Sequence, residues 1–286
     1  MKRPVILLTG AAGQLGFELA RLLPAHGELV ALDRAALDLA DVDALVGTVR
    51  RLEPQIIVNA AGYTAVDRAE SEPALADAIN ARAPAILARE AKLLDALLVH
   101  YSTDYVFDGA SGAPYDEDAQ PNPLNVYGRS KLAGERAIAA AGAAHLILRT
   151  SWVYGLRGQN FLQTVRRLAL ERDELRVVAD QFGVPNWSRV LAEATATLLR
   201  GGGPALAKKS GIYHLSGRGR ASWFDFARAI VDGAERPRVV PITTAEYPTA
   251  ARRPASAVLA TAKFERTFGF ALPEWREMLA ACKAAA

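Results

Sequence analysis

Five short apolar runs, at 5–8, 28–32, 55–58, 97–102 and 146–149, alternate with longer helix-spaced stretches at 14–23, 42–52, 73–94 and 127–141. That alternation restricts the fold of this 286-residue chain more than any other feature. The runs are apolar at successive positions rather than at every second one, so both faces of each strand need cover. Strands buried on both faces and joined by helices make a parallel sheet with helices on either side. The expected class is therefore α/β, a doubly wound, Rossmann-like sheet. No period of 20–50 residues repeats, which excludes a solenoid.

After residue 150 the rhythm loosens. Gly201-Gly-Gly-Pro204 reads as a surface turn, 212–215 as a strand, and Ser222 as the cap of a further helix. A Pro- and Thr-rich stretch at 237–256 reads as loops. These features predict a dinucleotide-binding domain over 1–150 and a mainly substrate-binding, smaller domain over 151–286, with a boundary loose enough for the two to interleave. Ligands of such folds sit at the C-terminal edge of the sheet.

Composition narrows the partners. Hydrophobic residues at 51% and charged residues at 23% are globular values. The net charge of +3 is spread along alternating faces such as Arg166-Arg167-Leu-Ala-Leu-Glu171-Arg172-Asp173, so no basic stripe invites nucleic acid. Cys282 is the single cysteine, which suits a reducing compartment. The first apolar run is too short for a signal core, and no stretch approaches the ~20 apolar residues of a membrane span. The expectation is a cytoplasmic protein with neither membrane nor nucleic-acid partner.

Chemistry concentrates where strands meet helices. Gly10-Ala-Ala-Gly13-Gln-Leu-Gly16 joins the first strand to the first helix. Glycines there permit a tight turn, bring backbone N–H groups to a pyrophosphate, and let helix and strand pack closely. Asp33 ends the second strand, where a ribose-binding acid belongs. Asn59-Ala-Ala-Gly62 follows the third strand with small residues that let a dinucleotide lie close. Tyr127 and Lys131 share one helical face at i and i+4, an arrangement in which the cation would lower the phenol pKa. Ser102-Thr103 ends the fourth strand on the same sheet edge.

Together with Tyr101 to Phe107, Arg149-Thr-Ser-Trp152-Val-Tyr154, Asp180 to Pro185 and Tyr247 to Pro254, these blocks resemble the extended short-chain dehydrogenase/reductase superfamily. Within it the chain is similar to the dTDP-4-dehydrorhamnose reductase family over nearly its whole length. The resemblance implies NADPH- or NADH-dependent reduction of a dTDP-linked 4-ketosugar for polysaccharide biosynthesis. It implies Thr103, Tyr127 and Lys131 as catalytic residues, with Tyr127 as proton donor. Gly10, Gly13, Gln14, Leu15, Gly16, Asp33, Asp38, Leu39, Ala60, Ala61, Gly62, Tyr101 and Lys131 would hold the cofactor. Thr103, Asp104, Tyr127, Trp152 and Arg253 would hold the substrate, with Gln181 to Pro185 and Arg253 near its diphosphate.

Two departures from the pattern matter. Asn186 stands where relatives tend to have Thr. Glu18 could match an acid that binds Mg²⁺ at a dimer interface in some members, but Arg189 replaces its expected companion. No metal is therefore expected, and monomer and homodimer both stay open. Three other functions compete. A dehydratase would want Glu where Tyr105 stands. An epimerase needs bases on both faces of the sugar, and none of His26, His100, His145 or His214 falls in a motif block. A non-catalytic NADP-binding regulatory subunit would have no need of the Tyr127 acid.

Overall fold

The computed structural model describes residues 3–232 and 237–286. Val5–Thr9 (β1), Glu28–Leu32 (β2), Ile56–Asn59 (β3), Leu97–Thr103 (β4) and His145–Thr150 (β5) build a parallel sheet with Gly211–His214 as its sixth strand. The strand order is Gly211–His214, β5, β4, β3, β1, β2. The order reverses between β1 and β3, and a crevice opens at such a switch point.

Side chains alternate across the sheet, as period two demands. Ile6, Leu8, Val58 and Val99 face one way, against the helices Gln14–Leu22 and Ser188–Leu199. Leu7, Ile57, Leu98 and Ile147 face the other, against the helices Val42–Leu52, Ala83–Leu93 and Val126–Ala141. Both layers are fully buried, which is why the strands lack polar alternation.

The segment 73–94 is helical throughout but not uniformly so. A π-helical turn at Ala78–Arg82 separates Pro73–Asp77 from Ala83–Leu93. The turn presents Asn80, whose amide donates to Ser130 Oγ at 3.0 Å and to the Tyr63 carbonyl. A Cβ on Gly134 would meet the Asn80 carbonyl at 2.1 Å, so only glycine lets Val126–Ala141 approach this closely. The bulge thus anchors the helix that carries Tyr127.

Beyond residue 150 the chain contributes to both layers. Gly211–His214 joins the central sheet beside β5, and Ser188–Leu199 packs on Gln14–Leu22. The remainder forms its own core around Tyr154, Phe226 and Trp275. Ser222 caps the helix Trp223–Ile230 in a reciprocal box with Asp225. The loop expectation for 237–256 is corrected in part. Arg238–Ile242 is a strand, paired in parallel with Glu174–Val178, and Val239 packs with Leu175 against that small core. Pro241 is tolerated because, among the described residues, each of the two strands has only one partner. No helix among the described residues is long and apolar enough to cross a membrane.

Candidate active site

A cleft of about 750 Å³ runs along the C-terminal edge of the sheet. Its floor at one end is the glycine turn. Gly10 has φ +77°, and a Cβ there would lie 2.7 Å from the Ala61 backbone. A Cβ on Gly16 would lie 2.0 Å from the Gly10 carbonyl. Gly13 caps Gln14–Leu22 without any side-chain acceptor, which leaves first-turn N–H groups facing the cleft. This is a cradle that fits a pyrophosphate.

At the other end Asn125 caps the helix Val126–Ala141, accepting from Gly128 N at 2.8 Å and donating to the Arg252 carbonyl. That cap fixes Tyr127, whose ring meets Tyr105 edge-on at 5.7 Å. Burial pushes the Tyr127 phenol up to about 12, opposed by a hydrogen bond with Thr103. The expectation that Lys131 lowers this value is corrected. The Lys131 ammonium is engaged elsewhere, with the Tyr101 carbonyl at 2.6 Å and His100 Nε2 at 3.1 Å, and burial brings it down to about 8. A phenol raised in this way carries its proton at neutral pH and so has one to give.

Three residues of the cleft lining carry buried oxygens that meet no partner among the described residues. These are Ser102 Oγ, Asp104 Oδ2 and Thr150 Oγ1. Thr103 Oγ1 donates to Asp104 Oδ1 at 3.0 Å, yet burial still lifts the Asp104 carboxyl to about 7. Because this value exceeds the unfolded one near 4, Asp104 costs no stability below pH ~4, and its penalty grows as pH rises towards 7. Asp104→Asn should therefore stabilise the protein by about 2 kcal/mol more at pH 8 than at pH 5, measured by urea unfolding. An equal shift at both pH values would contradict this reading.

Trp152 lines the same cleft. It adopts φ 44°, rare for a bulky residue, and stacks on Trp223 at 3.5 Å between ring centroids. Gly183 leaves room for the indole, since a Cβ there would come within 2.6 Å of it. Trp223 was invisible to sequence reasoning because no local spacing links it to Trp152.

Most of the expected residues meet in this cleft. Gly10, Gly13, Gln14, Leu15, Asp38, Leu39, Ala60, Ala61, Gly62, Tyr101, Thr103, Asp104, Tyr127, Lys131 and Trp152 all line it. Gly16 lies beneath the turn and does not. Asp33 is also off the lining, where its carboxylate accepts from Ala36 N at 3.0 Å, and the neighbouring Arg34 lines the cleft instead. Arg253 and the segment from Gln181 to Pro185 are not on the lining either. Arg253 forks onto Asp67 at 2.7 and 3.1 Å, a pairing that holds the Asp67 carboxyl below its ordinary value. Asn186 is wholly buried and binds Ser151, Val184, Ser216 and Gly217, so its role is structural. Glu18 pairs with Arg21, and Arg189 with Glu193.

A family model described as the RmlD substrate binding domain matches residues 3–286. The chain is 47% identical to a dTDP-4-dehydrorhamnose reductase of Burkholderia thailandensis, with 97% of each chain covered. It is 44% identical to the Escherichia coli K12 protein of the same name, covering 95% of this chain and 94% of that one. A crystal structure of dTDP-4-dehydrorhamnose reductase from Bacillus anthracis in complex with NADP superposes with a TM-score of 0.93 at 38% identity, covering 100% of both chains.

Proposed function

The chain belongs to the dTDP-4-dehydrorhamnose reductase family, and on that premise we propose that its cleft reduces the C4 ketone of dTDP-4-dehydro-L-rhamnose to dTDP-L-rhamnose, with Tyr127 as proton donor. It is an NAD(P)H-dependent oxidoreductase. The observation that carries the proposal is the meeting of a glycine cradle, a buried protonated phenol and three unpartnered oxygens in one cleft.

The glycine turn and the first-turn N–H groups of Gln14–Leu22 would hold the cofactor pyrophosphate, with Ala60 to Gly62 and Lys131 along its length. The bound nicotinamide supplies a hydride. Tyr127 gives its proton to the oxygen that gains charge, and Thr103 donates to the same oxygen once its hydroxyl turns from Asp104 Oδ1. Asp104 Oδ2 accepts from a sugar hydroxyl, which supplies the partner it lacks. Trp152, backed by Trp223, limits where the sugar ring can lie. Arg253 is committed to Asp67 rather than aimed at a substrate diphosphate.

Cofactor choice follows from Arg34 rather than Asp33. The Arg34 side chain is largely exposed and touches Asp38 at 3.7 Å, which leaves it free to meet a ribose phosphate. Arg34→Ala should weaken NADPH binding ~10-fold and NADH binding little, read by nicotinamide fluorescence. Asp33→Ala should change the ratio less. Loss of discrimination only in the Asp33 variant would return the role to that carboxylate.

The function is tested by following NADPH oxidation with dTDP-4-dehydro-L-rhamnose as the only acceptor. Oxidation that saturates in the sugar nucleotide supports it. Conversion of the sugar without cofactor consumption would favour an epimerase or dehydratase, and no conversion a binding-only protein.

A further inference from the structure

The apolar rung Leu7, Ile57 and Leu98 crosses β1, β3 and β4 in register. Two residues further along, on the same face, the rung is Thr9, Asn59 and His100, and every member is buried. Thr9 Oγ1 lies 2.7 Å from Asn59 Oδ1, and Asn59 Nδ2 lies 3.0 Å from His100 Nδ1. His100 Nε2 then lies 3.1 Å from Lys131 Nζ. A polar ladder thus runs through the sheet and ends on the lysine of the cleft. Burying such groups is costly unless each is bonded, so the ladder stands out against the apolar layer around it.

We propose that His100 is a positioning residue for the reduction, holding Lys131 in place as either ammonium or amine through a ladder of hydrogen bonds that reverses direction with the lysine proton. The inference rests on the reductase reading above.

The reversal follows from counting protons. Burial and the Lys131 charge hold His100 far below its ordinary value, so the ring is neutral, with one N–H and one acceptor nitrogen. An ammonium can only donate, so Nε2 must then accept and Nδ1 must carry the proton. That proton needs the Asn59 carbonyl oxygen, with the amide nitrogen turned towards Thr9. If Lys131 becomes an amine, Nε2–H donates to it, Nδ1 accepts from Asn59 Nδ2, and Thr9 donates to the amide oxygen. A half-turn of one amide separates the two states.

Few other charges face Lys131. Its own helix brings Tyr127 one turn before and Glu135 one turn after, and Glu135 is tied to Arg149 of β5. From β4 come His100 and the Tyr101 carbonyl, and Asp104 stands just beyond that strand. With Lys131 brought down to about 8, both states are reachable near neutral pH.

Two measurements test this. The first compares His100→Leu and His100→Gln with wild type across pH. In His100→Leu the ammonium loses an acceptor, so kcat should fall ~10-fold or more with KM within ~3-fold. The basic limb of kcat should also move down by about one pH unit. Gln, whose amide can also donate or accept, should recover at least half of the logarithmic loss. An unmoved basic limb in His100→Leu, or Gln no better than Leu, would overturn the proposal. The second measures ¹⁵N-histidine spectra of the NADP-bound protein, with His100→Gln assigning the signal. The ring should stay neutral from pH 6 to 9, and its proton should pass from Nδ1 to Nε2 as Lys131 titrates. An imidazolium at pH 7 or one fixed tautomer would overturn it. This readout needs no turnover, so a chain that failed to reduce the ketosugar would refute the reductase reading and leave the ladder standing or falling on its spectra.

Discussion

Replacing Tyr127 with Phe should lower turnover by ~10²-fold or more, the scale of a lost general acid. The substitution keeps the ring, its edge contact with Tyr105 and the Asn125 cap below it, so the fold should be unaffected. Cofactor affinity should change by less than about threefold, because the glycine cradle and Lys131 are untouched. Turnover and cofactor affinity both fall if the helix is displaced, whereas only the chemical step slows if a proton donor is lost. Single-turnover decay of NADPH absorbance, set beside the dissociation constant, separates these cases. Near-normal decay in the Phe variant would mean that another group delivers the proton.

The largest stability loss is expected at Glu135. Its carboxylate takes a two-pronged contact from Arg149 at 2.7 and 2.9 Å, with both side chains almost wholly buried. The guanidinium also lies over the Phe107 ring at 5.1 Å. Removing one partner of a buried pair strands the other charge, which costs about 3–5 kcal/mol. Glu135→Ala should show that loss in urea unfolding. Glu171→Ala is the comparison, since Arg167 and Glu171 make an equally close but exposed pair. Its effect should stay within ~0.5 kcal/mol. Similar losses in both variants would mean that burial does not decide the worth of these pairs.

What could be read in the sequence was whatever depends on near neighbours along the chain. The glycine turn, the Tyr127 and Lys131 spacing, and the end of β4 at Thr103 each need only a few consecutive residues. The sheet was legible for the same reason, because each of the first five strands carries a short run of consecutive apolar residues. What stayed hidden depends on register between distant segments. His100 looked like an isolated histidine because Asn59 and Thr9 reach it only across two strand pairings. Arg253 invited a phosphate contact because Asp67, 186 positions away, gives no local sign of claiming it. Asp33 was placed correctly at a strand end, yet a turn N–H uses its carboxylate. The strand Arg238–Ile242 was obscured by Pro241, which is permitted only because its two-stranded sheet ends there.

The most direct measurement supplies NADPH carrying deuterium at both nicotinamide C4 positions, together with dTDP-4-dehydro-L-rhamnose, and examines the product by NMR. Hydride delivery into this cleft predicts one deuterium at the sugar C4 for each cofactor oxidised, with dTDP-L-rhamnose as product. Deuterium at any other carbon, or sugar conversion with the cofactor intact, would contradict it.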